Sequence, residues 1–177
     1  MAVMGSLSNH DQVSLWKFNH EVQRVFPLTT LGDSKTRQAL NQSVMRNTEC
    51  DGGTAFYDAI VDISRELELN APQLGKREPW VVALTDGDDA HSRATYKHAA
   101  NALKGAAKSI LGHSPNKLRF IMITVGDLPN KNEIKHIVNS VNDGIHISTD
   151  SGNVRDVTDA FQQVGQLLAA NLNVETL

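Results

Sequence analysis

The sequence predicts an α/β fold: a mostly parallel, doubly wound sheet with one antiparallel edge strand and helices on both faces. Three observations predict it. From residue 80 onward the segments alternate strand, helix, strand, helix, strand, helix, the order that builds a parallel sheet with covered faces. Two of the strand-like segments, WVVAL at 80–84 and RFIMITV at 119–125, are near-continuous apolar runs, as expected of strands buried on both sides. Ahead of them, two strand-like segments stand only three residues apart, a spacing that suits an antiparallel hairpin.

The elements follow in order. Residues 13–18 (VSLWKF) read as a strand, 19–21 as a turn, and EVQRVFPLT as a second strand in which Pro27 suits an edge position. Residues 35–46 read as a helix, with Leu40 and Val44 four apart. Thr54 is placed to cap a helix running to about Leu69, with Phe56, Ile60, Ile63 and Leu67 on one face. APQLGKREP breaks the chain before the first apolar run. Tyr96, Ala99, Leu103, Ala106 and Ile110 mark the next helix, and Gly126 closes the second run. Residues 134–141 read as a short helix and GIHIS at 144–148 as a short strand. Val157, Phe161, Val164 and Leu168 define a closing amphipathic helix.

At 177 residues the chain suits one domain, residues 1–177, with a real core. Apolar residues make up 40% and charged residues 21%, an ordinary soluble balance. A net charge of −3 gives no electrostatic case for nucleic acid or an anionic membrane. No apolar run approaches the ~18 residues of a membrane span, and MAVMGSLSNHD lacks the basic and apolar regions of a signal peptide. Cys50 stands alone, so no internal disulfide is available and a reducing, cytoplasmic setting is expected.

Three carboxylates, Asp86, Asp88 and Asp89, crowd the end of the 80–84 strand, where ligands of open α/β sheets bind. They repel one another unless a cation or basic group offsets them. A hard cation such as Mg²⁺ suits such oxygen donors. The plainer reading of Asp88 and Asp89 is a solvated turn capping the following helix; Asp86, beside the buried strand, is the functional candidate. Thr54 follows two glycines, which permit close backbone approach, and its hydroxyl can cap a helix or face a metal. Cys50 has no neighbouring base and reads as an incidental thiol. The histidines form no His-x-x-x-His pair. No Gly-x-Ser-x-Gly elbow, Gly-x-Gly-x-x-Gly loop or Walker A loop is present.

Taken in order, GGTAFYDAI, a strand ending LTDGDD and a strand ending ITVG resemble a von Willebrand factor type A (vWA) domain. DQVSLWKFNHEVQRVFPLT is similar to that family's hairpin of second and third strands. The resemblance spans Asp11 to Leu172 and implies a Rossmann-like sheet carrying a metal-ion-dependent adhesion site (MIDAS). There a divalent cation, Mg²⁺ or alternatively Mn²⁺ or Ca²⁺, is held by an Asp-x-Ser-x-Ser loop, a threonine and an aspartate. An acidic group of a protein partner completes its shell. Thr54 matches the threonine and Asp86 the aspartate.

The resemblance also implies a first strand, its Asp-x-Ser-x-Ser loop and most of a first helix ahead of Asp11. A strand with its crossover helix needs roughly 20 to 30 residues, and only ten stand there. Ser6-x-Ser8 is present, but Met4 occupies the aspartate position. MGSLSNHD therefore reads as the tail of that helix, and the chain as truncated relative to the family. The expected function is a protein-interaction, ligand-binding module rather than an enzyme, with weak or absent cation binding. A Mg²⁺-dependent hydrolase or phosphoryl-transfer enzyme, with Asp86 as nucleophile or metal ligand, and a metal-free scaffold are the alternatives. The implied missing strand is central, between residues 13–18 and 80–85. Those strands would then pair directly, or a second copy would cover their bare edges in a homodimer; the second outcome is the expected one.

Overall fold

Residues 7–47 and 53–172 are described by the computed structural model. Strands β1 (Gln12–Phe18) and β2 (Val22–Thr30) form the expected antiparallel hairpin, with Phe18 opposite Val22 and Gln12 opposite Thr30. Its turn closes where the Asn19 side-chain oxygen accepts the Glu21 N–H at 3.0 Å, the local bond that lets asparagine start tight turns. Pro27 lies on β2, which pairs only with β1 among the described residues, so its missing donor is tolerated at an edge. Helix α1 (Ser34–Arg46) is capped by Asp33, whose carboxylate accepts the Thr36 N–H at 2.9 Å.

Strands β3 (Trp80–Thr85), β4 (Arg119–Val125) and β5 (Ile145–Thr149) make a parallel sheet in that order. Trp80 lies opposite Arg119 and Thr85 opposite Thr124, while Ile121 meets Ile145. Helices α2 (Phe56–Asn70), α3 (Tyr96–His113), α4 (Lys131–Val138) and α5 (Val154–Leu172) complete the fold. Alternate residues of β4 enter two cores. Phe120 and Met122 join Phe56, Ile60, Leu103, Ile110, Ile134 and Ile137. Ile121 and Ile123 join Ala160, Val164 and Leu168 of α5. All four β4 residues are fully buried, and each such side chain contributes about 1.5–3 kcal/mol. Double-sided burial is the physical reason the RFIMITV run has no polar alternation.

Several expectations are corrected. β3 is not buried on both faces: Val81 and Ala83 are buried, but Trp80 and Val82 are half-buried and Leu84 is 37% exposed. On that face α5 lies over β4 and β5, and Leu7, like Trp80 and Val82, packs against the same cluster only in part. α4 starts at Lys131 and ends at Val138, leaving Val141 buried from a turn. Residues 7–10 are bend and turn rather than the tail of a helix; Met4 and Ser6 lie outside the described residues, as does Cys50. Of the two outcomes weighed for these strands, direct pairing of β1 and β3, the less expected one, is not found among the described residues. They belong to two separate sheets, with no described strand between them.

No described helix is long and apolar enough to cross a membrane.

Candidate functional site

Three loops gather beyond the carboxyl ends of β3 and β4. The segment ahead of α2 is tied to the loop after β3 by its backbone: the Thr54 carbonyl accepts the N–H groups of Ala90 at 3.1 Å and His91 at 3.0 Å. Gly53 permits this approach, because a Cβ there would stand 1.9 Å from the His91 ring. On the other side, Gly87 has φ +83°, and a Cβ on it would meet Leu128 Cδ2 at 2.4 Å. Leu128 belongs to the loop after β4, which opens with Gly126 at φ +76°. The glycines are thus required by conformation and by close contact.

The carboxylates divide into structural and free groups. Asp89 accepts the Tyr57 N–H at 2.8 Å, the Ser92 N–H at 3.0 Å and the Ser92 hydroxyl at 2.7 Å. Asp58 accepts the N–H groups of Arg93 at 3.0 Å and Ala94 at 2.8 Å, while its own N–H donates to Ser92 Oγ at 3.0 Å. Both acids sit at the amino end of α2, where exposed N–H groups and the helix dipole favour negative charge. The Tyr57 hydroxyl donates to Glu133, tying α2 to α4. Burial, and then the Glu133 carboxylate, push the Tyr57 phenol well above its ordinary range, so it stays protonated.

Asp86 and Thr54 are placed differently. Asp86 is exposed at the end of β3, with one carboxylate oxygen accepting the Asp88 N–H at 3.2 Å. Thr54 does not cap α2: the cap position is Ala55, with no side-chain bond, and the Thr54 hydroxyl has no hydrogen-bond partner among the described residues. The capping role expected of Thr54 belongs to Asp89, acting from a distant loop. Nor does Asp89 cap the following helix; Thr95 caps α3, in a reciprocal pair with His98. The Ser8 hydroxyl accepts the His10 N–H, and the Ser8 N–H donates to the Asp11 carboxylate, bonds made within one local turn.

The structure therefore joins the Thr54 and Asp86 loops through the Thr54 carbonyl, engages Asp89 in bonds to Tyr57 and Ser92, and leaves Asp88 exposed. No group of three or more His, Cys, Asp or Glu side chains among the described residues is placed to hold a metal. Sequence reasoning missed Asp58, Ser92 and Glu133. The Asp89-x-x-Ser92 spacing was a signal for a local side-chain-to-backbone turn; nothing local pointed to Asp58 or Glu133. Beside the cluster, an open cleft of about 890 Å³ runs between the hairpin turn at His20 and the 91–94 loop.

Residues 1–163 match the family model described as von Willebrand factor type A domain. Among solved structures, the chain is similar to the crystal structure of the manganese-loaded Plasmodium vivax TRAP protein. The identity is 19% and the TM-score 0.51, covering 84% of this chain and 57% of that one. The likeness is one of fold, and the chain spans little more than half of that structure. No curated protein matches the chain.

Proposed function

Because the chain belongs to the von Willebrand factor type A family, whose domains are generally adhesion or protein-interaction modules, we propose that it binds a protein partner at the loop cluster beyond β3 and β4. Thr54 and Asp86 are the contacting side chains. The observation that carries the reading is the contrast within the cluster. Asp58 and Asp89 are consumed by backbone N–H groups. Asp86 is exposed, and the Thr54 hydroxyl is unengaged in a loop otherwise held by its backbone.

A resident Mg²⁺ does not fit the described residues. Two side-chain oxygens compete poorly with the waters this ion sheds reluctantly, and the nearby Asp58 and Asp89 carboxylates are already bonded to backbone N–H groups. The exposed Asp86 carboxylate, on the loop that the Thr54 carbonyl holds, instead suits a basic or N–H-donating group of the partner, met directly. The manganese in the TRAP structure favours a second reading, in which an acidic partner group and a divalent cation meet at Thr54 and Asp86. Calorimetric titration with Mg²⁺ and Mn²⁺, with chelator as control, separates the two. We expect no micromolar binding and a melting temperature that excess cation leaves in place. Micromolar affinity lost in Asp86→Ala would establish the cation-bridged reading.

The module reading also predicts no turnover. Generic phosphate and carboxyl esters with Mg²⁺ are expected to hydrolyse at background rates. A rate abolished by Asp86→Asn would replace the binding module with an enzyme using that carboxylate.

A further inference from the structure

The open cleft beside the loop cluster, about 890 Å³ in volume, is walled by four parts of the chain. The hairpin turn supplies Glu21, α2 supplies Asp58, Asp62 and Glu68, the loop after β3 supplies Arg93, and the first turns of α3 supply Asn101. The α2 wall runs from Asp58 to Glu68, a length of about 15 Å at about 1.5 Å per helical residue. An extended chain covers that length in about five residues.

The charge of the walls is one-sided. Four carboxylates, those of Glu21, Asp58, Asp62 and Glu68, face the guanidinium groups of Arg65 and Arg93, so with the imidazoles neutral the cleft is negative. Fold contacts engage two of the acids. Asp58 accepts the N–H groups of Arg93 and Ala94, and Asp62 pairs with Arg65 at 3.3 Å. Glu21 and Glu68 are exposed and have no hydrogen-bond or ion-pair partner among the described residues. Glu68 lies close against α3: a Cβ on Gly105 would stand 2.7 Å from its Oε1, so the glycine leaves room for the carboxylate between the two helices. One turn earlier on α2, Ser64 also lines the cleft. Ser64 is fully buried, and its Oγ is the one buried side-chain polar atom without a partner among the described residues. Buried hydroxyls are nearly always bonded, and a donor entering the cleft would supply the missing partner.

We propose that this cleft binds a short, extended, lysine-bearing segment of a partner protein, with one ammonium group meeting the Glu68 carboxylate and the Ser64 hydroxyl and a second meeting Glu21. An ammonium group carries three donors and no acceptor, so one can serve Glu68 and Ser64 together, neighbours four residues apart on the same helix. Its alkyl stem suits Val61 and Ala102 on the facing walls. No described group of three His, Cys, Asp or Glu side chains is placed to hold a metal ion, so the cation is an organic one. An anionic segment is disfavoured, because Arg65 is already paired and Arg93 faces the remaining carboxylates alone. The cleft shares no lining residue with Thr54 and Asp86 and does not rest on their role.

The test uses the 177-residue chain and the acetylated, amidated peptide KAKAK, which sets its lysines on one side of an extended strand. The same peptide with glutamine for lysine, QAQAQ, is the neutral control. Backbone amide chemical shifts are followed at pH 7.5 and low salt. We expect KAKAK to bind with a dissociation constant of about 1 mM or below, shifting amides around Glu21, Ser64 and Glu68, and QAQAQ to leave them in place. Glu68→Gln and Ser64→Ala should each weaken binding by about threefold, and Glu21→Gln combined with Glu68→Gln by about tenfold. Asp86→Ala should change nothing. Affinity should fall several-fold at pH 5.5, because His20, His91 and His98 line the same walls and histidine gains positive charge in that range. Equal shifts from QAQAQ, unchanged affinity in any of the cleft variants, or an affinity that holds at pH 5.5 overturns the proposal. Loss of binding in Asp86→Ala instead places the peptide at the loop cluster, which overturns the cleft and leaves the reading of Thr54 and Asp86 standing.

Discussion

The Asp89 carboxylate accepts the backbone N–H of Tyr57 at 2.8 Å, so the loop after β3 supplies the cap of the helix that precedes β3. Asp89 also holds both donors of Ser92, and Ser92 Oγ accepts the Asp58 N–H. Asp89→Ala therefore frees two helix-end groups together. The expected loss is about 1–2 kcal/mol, seen as a drop of about 2–8 °C in thermal melting. Asp89→Asn, which keeps an acceptor and loses the charge at the helix end, is expected to fall between the two.

Thr54→Ala makes the complementary prediction. Its hydroxyl bonds to nothing among the described residues, while its backbone carbonyl, which the substitution leaves intact, holds Ala90 and His91. Stability is expected to change by less than about 0.5 kcal/mol. A loss near 1 kcal/mol in chemical denaturation would restore the threonine as a helix cap.

Gly87 combines two constraints, φ +83° and the 2.4 Å approach of Leu128 Cδ2 to a Cβ at that position. Gly87→Ala is expected to cost about 2 kcal/mol or more. Adding Leu128→Ala removes the contact and leaves the backbone strain. The double variant should be more stable than the sum of the two single losses predicts, with a coupling of about 0.5–2 kcal/mol by denaturant titration.

His146 Nε2 lies 2.7 Å from the hydroxyl of fully buried Thr124. The residue is exposed overall, but partial burial of the ring lowers its pKa from the ordinary histidine value. The native state then binds fewer protons than the unfolded chain just below pH 6.5. Its contribution is present above that pH and is lost as pH falls toward the native pKa. Denaturation at pH 7.5 and 5.5 is expected to show a smaller acid loss for His146→Gln than for the unaltered chain. An equal loss would mean that other groups carry the acid sensitivity.

The local pattern of the sequence determined the order and type of the elements. Hydrophobic periodicity is a property of neighbouring residues, so the Arg119–Val125 strand, the three-residue spacing of the hairpin and the apolar face of Phe56 and Ile60 were legible in it. The same ordered motifs placed Thr54 and Asp86 in adjoining loops, and the structure joins those loops through the Thr54 carbonyl. Tertiary structure decided what competition between distant groups settles. The Tyr57 N–H bonds to Asp89 from another loop, while Thr54, which sequence proximity favoured as the cap, makes no such bond. Leu84 belongs to an apolar run yet remains exposed, because burial depends on what lies across the sheet, and α5 lies over β4 and β5. The division into two sheets is of the same kind: strand propensity is written along β1 and β3 themselves, but pairing requires a partner edge within hydrogen-bond reach, and in this fold neither strand offers one to the other.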